Sequence, residues 1–433
     1  MTKMKNSSAC LRSFNCAASG PRESTVHHAR PDGHAVKRGA ASVSGIGISR
    51  FGFASRFGFR ISCFILALLI SHCAVAQEWH LQWSQELPAR KTAWEFTQRM
   101  GRDIGYPVAA GGGLAFVGCE HNGALLALDG KTGQQRWRFY TAAPIRHAPV
   151  ASDTHVYVGS DDGYLYCIDG KGKVAWKQRG GPSDRLVIGH ERIMSAWPIS
   201  TQPLLRDGVL YFVAGYWPVD GVFVHAVDAA TGNEIWVSSE AEFRPNRRIH
   251  LIDGKLFVDG DNSKAILDAR TGQVLREKLN RPASPERPKI SGAKGNLTSW
   301  SQSGDTLVVG TTEGVFGFSS SRTANGLRES GVTQATRGPL GTRLNEAADI
   351  IAKTGVKEGY CLVVGPTDSS LVEGLFKKSK LHVVVQEQDE KTVEELRRQL
   401  DEGGLFDEHR LAVVSERFSL PPYFASLIVA KSD

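Results

Sequence analysis

One segment of the sequence, residues 185–200, places several side chains that can recognise a ligand close together. His190 and Arg192 can donate hydrogen bonds, Glu191 can accept them, and Trp197 offers an aromatic face. Loops that interrupt regular structure carry binding residues more often than strands do. The segment is therefore a candidate contact for a protein or small ligand, made through His190, Arg192 and Trp197. The alternative is a solvated loop with a packed tryptophan.

Catalytic or metal chemistry would need carboxylates or thiols that converge on one point. Five aspartates are candidates, all at or near expected turns: Asp161, Asp162, Asp220, Asp259 and Asp261. Aspartate is common in turns because its side chain accepts local backbone hydrogen bonds. The sequence has no adjacent pair of cysteines and no paired Cys spacing typical of a metal site. We therefore assign no catalytic residue and no metal ligand from these patterns.

The elements that position these side chains follow an internal repeat. Four aspartates come directly after an apolar strand, at intervals of 40, 59 and 40 residues: Asp129, Asp169, Asp228 and Asp268. In the first two units an earlier turn is formed by Asn122-Gly123 and Asp162-Gly163, and such dipeptides between alternating strands are strong hairpin signals. A period of about forty residues built from strands predicts the blades of a β-propeller.

Later units depart from the pattern. Arg276 replaces the tryptophan that ends the first units, and Ser319 replaces the aspartate of the fifth. Residues 81–87, LQWSQEL, resemble the last strand of a unit without its beginning. We predict that this strand pairs with the final blade and closes the ring, which removes two sheet edges. Five recognisable units are fewer than the roughly six to eight blades that the repeat suggests.

Two units share one phrase, DGKTGQQRW at 129–137 and DAATGNEIW at 228–236. The phrase resembles the WD40-like repeat of pyrroloquinoline-quinone-like (PQQ-like) β-propellers, a family with quinoprotein alcohol dehydrogenases and the propeller lipoprotein of outer-membrane assembly. The resemblance covers residues 79–320 and implies that aspartate and Thr-Gly shape a turn while tryptophan packs between blades. An indole buries about 200 Å². A quinone enzyme would also imply calcium ligands and an adjacent cysteine pair, which is missing, so we expect no cofactor in the propeller.

After Ser321 the composition changes. Residues 322–342 are polar and rich in glycine and threonine, which is typical of a linker, and residues 343–359 have apolar positions at helical spacing. Strands and helices then alternate as follows: YCLVVG (360–365), SSLVEGLFKKS (369–379), LHVVVQE (381–387), DEKTVEELRRQLDEG (389–403), RLAVVSE (410–416) and ASLIVA (425–430). Successive βα units predict a parallel, doubly wound, Rossmann-like sheet over residues 343–433.

This part resembles the N-terminal half of a class I S-adenosylmethionine-dependent methyltransferase. The resemblance implies a cofactor-binding glycine turn at Gly365, Thr367 and Ser369, and an acidic residue, Glu387, that bonds the ribose hydroxyls. Glu387 lies 22 residues after Gly365, which fits one βαβ unit. Thr367 and Ser369 stand where the family prefers glycine, and Pro366 stiffens the turn.

The sequence given ends at Asp433, directly after the fourth strand of this sheet. The family resemblance implies about three further strands, so we expect a truncated and inactive methyltransferase-like unit. A half sheet of this kind would leave one edge and one face uncovered. Together with the small number of blades, the missing strands predict that the sequence is a fragment of a longer chain.

The leader accounts for the positive charge of the chain, which is +7 overall. Residues 1–60 carry ten Lys or Arg and two acidic residues, so the rest has a net charge of −1, which argues against nucleic-acid binding. Two arginines precede an apolar run at 61–70, and AVA at 74–76 matches a cleavage site before Gln77. We predict a signal peptide, export to the periplasm or cell envelope, and membrane contact only through the leader. A retained anchor is the alternative.

The sequence thus predicts four segments: a leader at 1–76, a PQQ-like propeller at 77–321, a linker at 322–342 and a truncated methyltransferase-like domain at 343–433. The leading hypothesis is an exported scaffold or binding protein rather than an enzyme. The alternatives are an S-adenosylmethionine-dependent methyltransferase, if the chain is part of a longer one, and a PQQ-dependent dehydrogenase. Of the cysteines that would remain after cleavage, Cys119, Cys167 and Cys361, we expect buried free thiols, with a Cys119–Cys167 bridge as the alternative.

Overall fold

A computed structural model describes most of the chain after the leader. The described residues are 77–87, 105–189, 192–239, 243–260, 263–277, 280, 282–283, 285–321, 328–329, 344–365, 367–408, 410–415 and 418–430. The predicted leader, most of the predicted linker, and the candidates His190, Glu191, Asp261, Pro366 and Asp433 lie outside these residues.

In the described part of the chain, five antiparallel sheets follow one another after the leader as propeller blades. The N-terminal strand is β1 (His80–Glu86). Blade 1 contains β2 (Val108–Gly111), β3 (Leu114–Gly118), β4 (Ala124–Asp129) and β5 (Gln135–Tyr140). Blade 2 contains β6 (Val150–Ala151), β7 (His155–Gly159), β8 (Tyr164–Asp169) and β9 (Val174–Arg179), and a two-stranded hairpin follows it, β10 (Leu186–Gly189) and β11 (Arg192–Ser195).

The next blades are less regular. Blade 3 contains β12 (Leu204–Arg206), β13 (Val209–Ala214), a 3-10 helix (Pro218–Asp220), β14 (Phe223–Asp228) and β15 (Glu234–Ser238). Blade 4 contains β16 (Pro245–Ile252), β17 (Lys255–Gly260) and β18 (Lys264–Asp268). Blade 5 contains β19 (Leu297–Ser303), β20 (Thr306–Thr311) and β21 (Gly314–Ser319), and a short strand β22 (Arg328–Glu329) comes after it.

Strand β1 completes blade 5 as its fourth strand, as the sequence predicts. It pairs antiparallel with β21 in a register that matches His80 with Ser319 and Glu86 with Gly314. The short strand β22 pairs with β1 on its other side. The N-terminal strand therefore belongs to the last blade and does not begin a sixth.

Blades contact one another through the alternating side chains of their inner strands. On β3, Val117 packs with Val308 and Val315 of blade 5, whereas its neighbour Phe116 packs with Val156 of blade 2. On β13, Phe212 faces the blade 2 side and Val213 the blade 4 side. Because successive side chains of a strand point to opposite faces, a blade between two others is apolar on both faces. This explains the nearly continuous apolar strands.

The second part of the chain is a four-stranded parallel sheet with three helices. The elements are α1 (Leu344–Thr354), β23 (Glu358–Val364), α2 (Ser369–Lys378), β24 (Lys380–Glu387), α3 (Glu390–Glu402), a 3-10 helix (Leu405–Glu408), β25 (Leu411–Ser415) and β26 (Leu427–Ala430). The strand order is β25-β24-β23-β26, and all pairs are parallel. Asp368 and Asp389 cap α2 and α3 by accepting hydrogen bonds from the first backbone N–H groups of each helix.

All three helices cover the same face of this sheet. Cys361 and Val363 of β23 share one apolar cluster with residues of α1, α2 and α3, among them Ile351 and Leu396. The intervening strand residues point the other way, and Leu362 belongs to a different cluster. One face of the sheet is thus left without a helix among the described residues.

The propeller covers that second face, so the expectation of an uncovered sheet face is wrong. Tyr360, Val384 and Val414 of the sheet share a cluster with Phe116 and Leu125 of blade 1 and with residues of blade 2. Burial of apolar surface drives this packing. The outer edge strand β26 still presents Ile428, which is 63% exposed.

The hairpin β10–β11 and the residues before it attach the propeller to the loop that follows β25. The backbone N–H of Leu186 donates to Ser419 O at 2.7 Å, and the N–H of Ser419 donates to Asp184 O at 3.0 Å. Leu186 and Ile193 pack against Phe418 in the apolar cluster of the junction. The interval of 59 residues between the second and third repeat aspartates therefore contains this hairpin, which contacts the second part of the chain.

The three cysteines among the described residues are buried free thiols, as expected: Cys119, Cys167 and Cys361. Burial raises the pKa of Cys167 and of Cys361 to about 12. These thiols therefore stay protonated near neutral pH and act as small apolar side chains.

Candidate functional site

The repeat phrase forms a tight turn closed by its aspartate. In the first unit, Asp129 Oδ1 accepts hydrogen bonds from the backbone N–H of Lys131 at 3.1 Å and of Thr132 at 2.9 Å, and from the Thr132 hydroxyl at 3.0 Å. Asp228 with Thr231 and Asp268 with Thr271 repeat the hydroxyl bond at 2.8 and 3.0 Å. The carboxylate replaces solvent for donors that the turn leaves unpaired.

These bonds keep the turn aspartates ionised. The Thr231 hydroxyl and backbone N–H hold the pKa of Asp228 below its ordinary value, and Thr271 does the same for Asp268. At Asp129 burial acts to raise the pKa, but hydrogen bonds from Arg136 and Thr132 outweigh it and the pKa falls. An ionised carboxylate is an acceptor only, which is what the turn requires.

The tryptophan that ends each phrase bonds to the next blade. The indole Nε1 donates a hydrogen bond to a backbone carbonyl of the next blade. The acceptor is the residue that directly follows the repeat aspartate of that blade, and the distances are 2.9 to 3.2 Å. The four bonds are Trp83 to Gly130, Trp137 to Gly170, Trp176 to Ala229 and Trp236 to Ala269. They join blade 5 to blade 1, then blades 1, 2, 3 and 4 in order, and we call them the tryptophan locks.

The glycine of the phrase completes the locks of Trp176 and Trp236. Gly232 and Gly272 have φ of +75° and +73°, a conformation that glycine adopts without strain. A Cβ at Gly272 would lie 2.5 Å from the ring of Trp236, and one at Gly232 would lie 2.6 Å from the ring of Trp176. The indole of one blade therefore rests on the glycine turn of the next.

At the junction from blade 4 to blade 5, the sequence has neither the tryptophan nor the aspartate of a lock. Arg276 occupies the tryptophan position and is exposed, and Ser319 occupies the aspartate position. All copies of the phrase thus have the same role of joining blades, which leaves recognition to residues outside the repeat.

The candidate carboxylates that the structure describes in the propeller do not form one site. Asp161 is buried and paired with Arg146, whereas Asp220 is exposed and pairs with Arg185 at 3.1 Å. Asp259 lies 3.7 Å from His250. Among the described residues no group of three His, Cys, Asp or Glu side chains is arranged to hold a metal ion.

The proposed ligand patch at residues 185–200 uses its described side chains for internal contacts. Trp197 is 7% exposed, donates from Nε1 to Asp220 O at 2.6 Å and carries Arg185 over its ring at 5.0 Å. Arg192 is 9% exposed and donates to Glu120 O at 3.0 Å. The alternative of a packed tryptophan therefore describes Trp197 better. His190, the third candidate, stays a prediction because it lies outside the described residues.

The four candidate cofactor residues of the parallel sheet lie at the carboxyl ends of adjacent strands. Gly365, with φ of +92°, follows β23, and the register of Val364 with Gln386 places it beside Glu387 at the end of β24. The Thr367 hydroxyl donates to Gly365 O at 2.8 Å, and Ser369 is the first residue of α2. The N–H groups at the start of α2 are occupied by Asp368. The structure thus brings the four candidates to one sheet edge.

Glu387 is 7% exposed. Its Oε1 accepts a hydrogen bond from the backbone N–H of Gln388 at 2.8 Å. Its Oε2 is buried and, within the described part of the chain, has no hydrogen-bond partner. A buried carboxylate oxygen without a donor is costly.

Sequence reasoning missed the polar contacts where the sheet meets blade 1. Asp401, near the end of α3, accepts hydrogen bonds from Tyr140 at 2.8 Å and from Asn122 at 2.6 Å, and it pairs with Arg138. Burial and then the neighbouring Asp401 raise the pKa of Tyr140, so the phenol remains a donor. These residues are separated by more than 260 positions, and no local pattern in the sequence marks such a pairing.

One family model matches the first part of the propeller. A family model described as "Outer membrane protein assembly factor BamB" matches residues 80–196, which is less than half of the chain. The matched residues contain β1, blades 1 and 2, and the hairpin β10–β11. A search of curated proteins gave no match.

Several solved structures are similar in part. BamB from Moraxella catarrhalis is 20% identical, with 49% of this chain and 71% of that chain covered and a TM-score of 0.34. Quinohemoprotein alcohol dehydrogenase from Comamonas testosteroni is 17% identical, with 46% and 36% covered and a TM-score of 0.33. The Pan2 WD40 domain from Neurospora crassa is 12% identical, with 54% and 62% covered and a TM-score of 0.33. At these TM-scores nothing about the function of this chain follows from the likeness.

Proposed function

We propose that this protein is an exported β-propeller that acts as a scaffold or binding protein in the cell envelope. The observation that carries the proposal is that the side chains of the repeat phrase form turn hydrogen bonds and tryptophan locks, so that they serve the fold. Recognition is therefore left to the loops, which are the usual place for binding residues on a rigid frame. The matched family model, described as an outer membrane protein assembly factor, supports a role in the envelope through protein contacts.

The parallel sheet is proposed to be an integral part of this scaffold. Its helix-free face is buried against blades 1 and 2, and the loop that follows β25 is bonded to the hairpin β10–β11. A unit held through an apolar face and backbone hydrogen bonds does not move independently of the propeller. Among the described residues, no helix is both long and apolar enough to cross a membrane.

Export gives the proposal a direct test. When the full chain is expressed in a bacterium with an outer membrane, we expect it in the periplasmic or envelope fraction with Gln77 as its first residue. N-terminal sequencing and fractionation measure both properties. The double substitution Ala74→Arg and Ala76→Arg should prevent cleavage, because signal peptidase requires small side chains at these positions. Recovery of the unchanged wild-type chain from the cytoplasm would contradict the proposal.

A second candidate function is binding of a nucleoside-type cofactor, such as S-adenosylmethionine, at the edge of the parallel sheet. The buried Oε2 of Glu387 supports it, because a ribose hydroxyl would supply the missing donor. The glycine turn at Gly365 lies beside Glu387 on the next strand. Asp368 already satisfies the N-terminal amides of α2, so this edge suits a ribose better than a phosphate.

Calorimetric titration with S-adenosylmethionine tests this candidate. If the site binds it, we expect saturable heat that Glu387→Gln weakens at least tenfold, since one charged hydrogen bond contributes about 1.5–3 kcal/mol. Glu358→Gln is the matched control, because Glu358 belongs to the neighbouring strand but lies at its other end and pairs with Lys380 on the surface. Absence of saturable heat with the wild-type chain would remove this candidate and leave the scaffold proposal intact.

A further inference from the structure

His225 is a buried histidine at the junction of blades 2 and 3. It belongs to β14 and is 4% exposed. Its imidazole stacks on Phe212 of β13, with 4.5 Å between the ring centroids and 3° between the ring planes. Its Nε2 lies 2.8 Å from the backbone carbonyl of Gly180, which directly follows the last strand of blade 2. The ring therefore joins the two blades.

The bond to Gly180 defines which ring nitrogen carries the proton. A carbonyl oxygen only accepts hydrogen bonds, so Nε2 carries a hydrogen and Nδ1 of the neutral ring is an acceptor. Nδ1 is buried and, within the residues that the structure describes, has no hydrogen-bond partner. Protonation of His225 would add a hydrogen and a positive charge at this atom, where an ion without a partner is costly.

The charged groups on the surrounding elements lie toward the surface. Glu234 of β15 faces Nδ1, but its carboxylate oxygen is 3.8 Å away and its side chain is 44% exposed. At this distance it forms no hydrogen bond, and solvent screens its charge. Beside Gly180, Arg179 pairs with Asp184 at 3.4 Å. On β13, Tyr211 points to the other side and packs with blade 4.

Burial lowers the pKa of His225 from its ordinary value of 6.5 to about 4, and the hydrogen bond to Gly180 opposes this shift only in part. The unfolded chain therefore takes up the proton at a higher pH than the folded chain does. The stability that depends on the neutral ring is complete above pH 6.5, and it is lost as the pH falls from 6.5 toward 4.

The acceptor of this histidine begins the segment that connects blade 2 to the second part of the chain. A few residues after Gly180, the N–H of Leu186 donates to Ser419 O, and Asp184 O accepts from the N–H of Ser419. A Cβ at Gly180 would clash with Ala214 of β13, so the backbone of this segment touches blade 3 directly. A displacement of the ring would therefore act on the first residue of the connecting segment.

We propose that His225 is an acid-sensitive contact, which holds blade 3 to the segment that begins at Gly180 while its ring is neutral and loosens this junction when the ring is protonated. Three observations carry the proposal: the ring is buried, it bonds across two blades through Nε2, and Nδ1 faces no acceptor that could take a second proton. The role goes beyond that of a scaffold and does not depend on the cofactor site of the parallel sheet.

Urea unfolding of the full chain at pH 7.5 and at pH 4.5 tests the proposal. His225→Gln keeps a neutral donor for Gly180 O but cannot be protonated. Between the two pH values, the unfolding equilibrium constant of the wild type should rise at least about tenfold more than that of the variant. The hydrogen-exchange protection factor of the Gly180 amide, which bonds Gly163 O at 2.9 Å, should also fall more in the wild type.

His155→Gln is the matched control. His155 belongs to β7 of blade 2, and its Nδ1 lies 2.9 Å from the Thr154 hydroxyl at the surface. This variant should keep the pH dependence of the wild type. If His225→Gln does not fold, the imidazole NMR signals of the wild type decide, since His225 should remain the neutral Nε2–H form down to about pH 5. The proposal is overturned if His225 titrates near pH 6.5, or if His225→Gln and the wild type lose stability equally in acid.

Discussion

Replacing Trp236 by alanine should lower the free energy of unfolding by about 3–5 kcal/mol, the usual cost of removing a large buried aromatic side chain. The substitution removes the bond from Nε1 to Ala269 O and the indole that rests on Gly272. It also leaves the Ala269 carbonyl without this donor at the junction of blades 3 and 4. Urea unfolding followed by circular dichroism, compared at equal m-values, measures the change.

The control for this prediction is Trp217→Ala. Trp217 belongs to the same blade, yet 47% of its surface is exposed and its ring contacts Arg244 at 4.3 Å. We expect its loss to cost about 1 kcal/mol or less, as exposed cation–π contacts do. Equal effects of the two substitutions would contradict the assignment of Trp236 as a tryptophan lock.

Replacing Asp401 by alanine should lower the free energy of unfolding by about 3 kcal/mol or more. Its carboxylate is 9% exposed and serves Arg138, Tyr140 and Asn122 together. Removal of one partner from a buried ion pair leaves an uncompensated charge, which costs about 3–5 kcal/mol. Hydrogen exchange should show faster exchange at the Leu186 amide, because that amide donates to Ser419 O and so joins the propeller to the loop that follows β25.

Glu402→Ala is the control for the junction. Glu402 is the next residue of α3, but it pairs with Arg398 on the surface and its side chain is 37% exposed. Surface pairs contribute about 0–1 kcal/mol. A double-mutant cycle of Asp401→Asn with Tyr140→Phe should give a coupling energy above about 0.5 kcal/mol, since the two side chains share a hydrogen bond. A coupling near zero with an unchanged Leu186 exchange rate would show that Asp401 does not hold the junction.

Local patterns in the sequence were sufficient for the propeller. The aspartate, Thr-Gly and tryptophan of each phrase act within a turn or on the next unit along the chain, so their roles repeat with the period. The pairing of β1 with β21 was predicted because residues 81–87 resemble the last strand of a unit, and in the structure Trp83 of this strand forms the lock on Gly130. The four candidate cofactor residues also met at one sheet edge, because the carboxyl ends of adjacent parallel strands coincide.

The roles of residues 185–200 and of the second sheet face could not be predicted in this way. Leu186 bonds to Ser419, and Val384 packs with Phe116, across more than 200 positions of the chain. The sequence does contain one signal, since β24 is apolar at consecutive positions, Val383 to Val385, which indicates cover on both faces. That signal predicts that both faces of the sheet are buried, but it does not identify the propeller as the part that packs on the second face.

The sequence by itself determined the repeated blades, their turns and the alternation of strands and helices after residue 343. These features depend on neighbours a few residues away or one repeat away, where spacing and residue type define geometry. Only the tertiary structure decided that the hairpin β10–β11 and the helix-free sheet face meet, and that Asp401 meets Tyr140 and Arg138 of blade 1. The physical reason is that apolar burial is not directional, so it selects which distant surfaces pack together without leaving a periodic trace in either one.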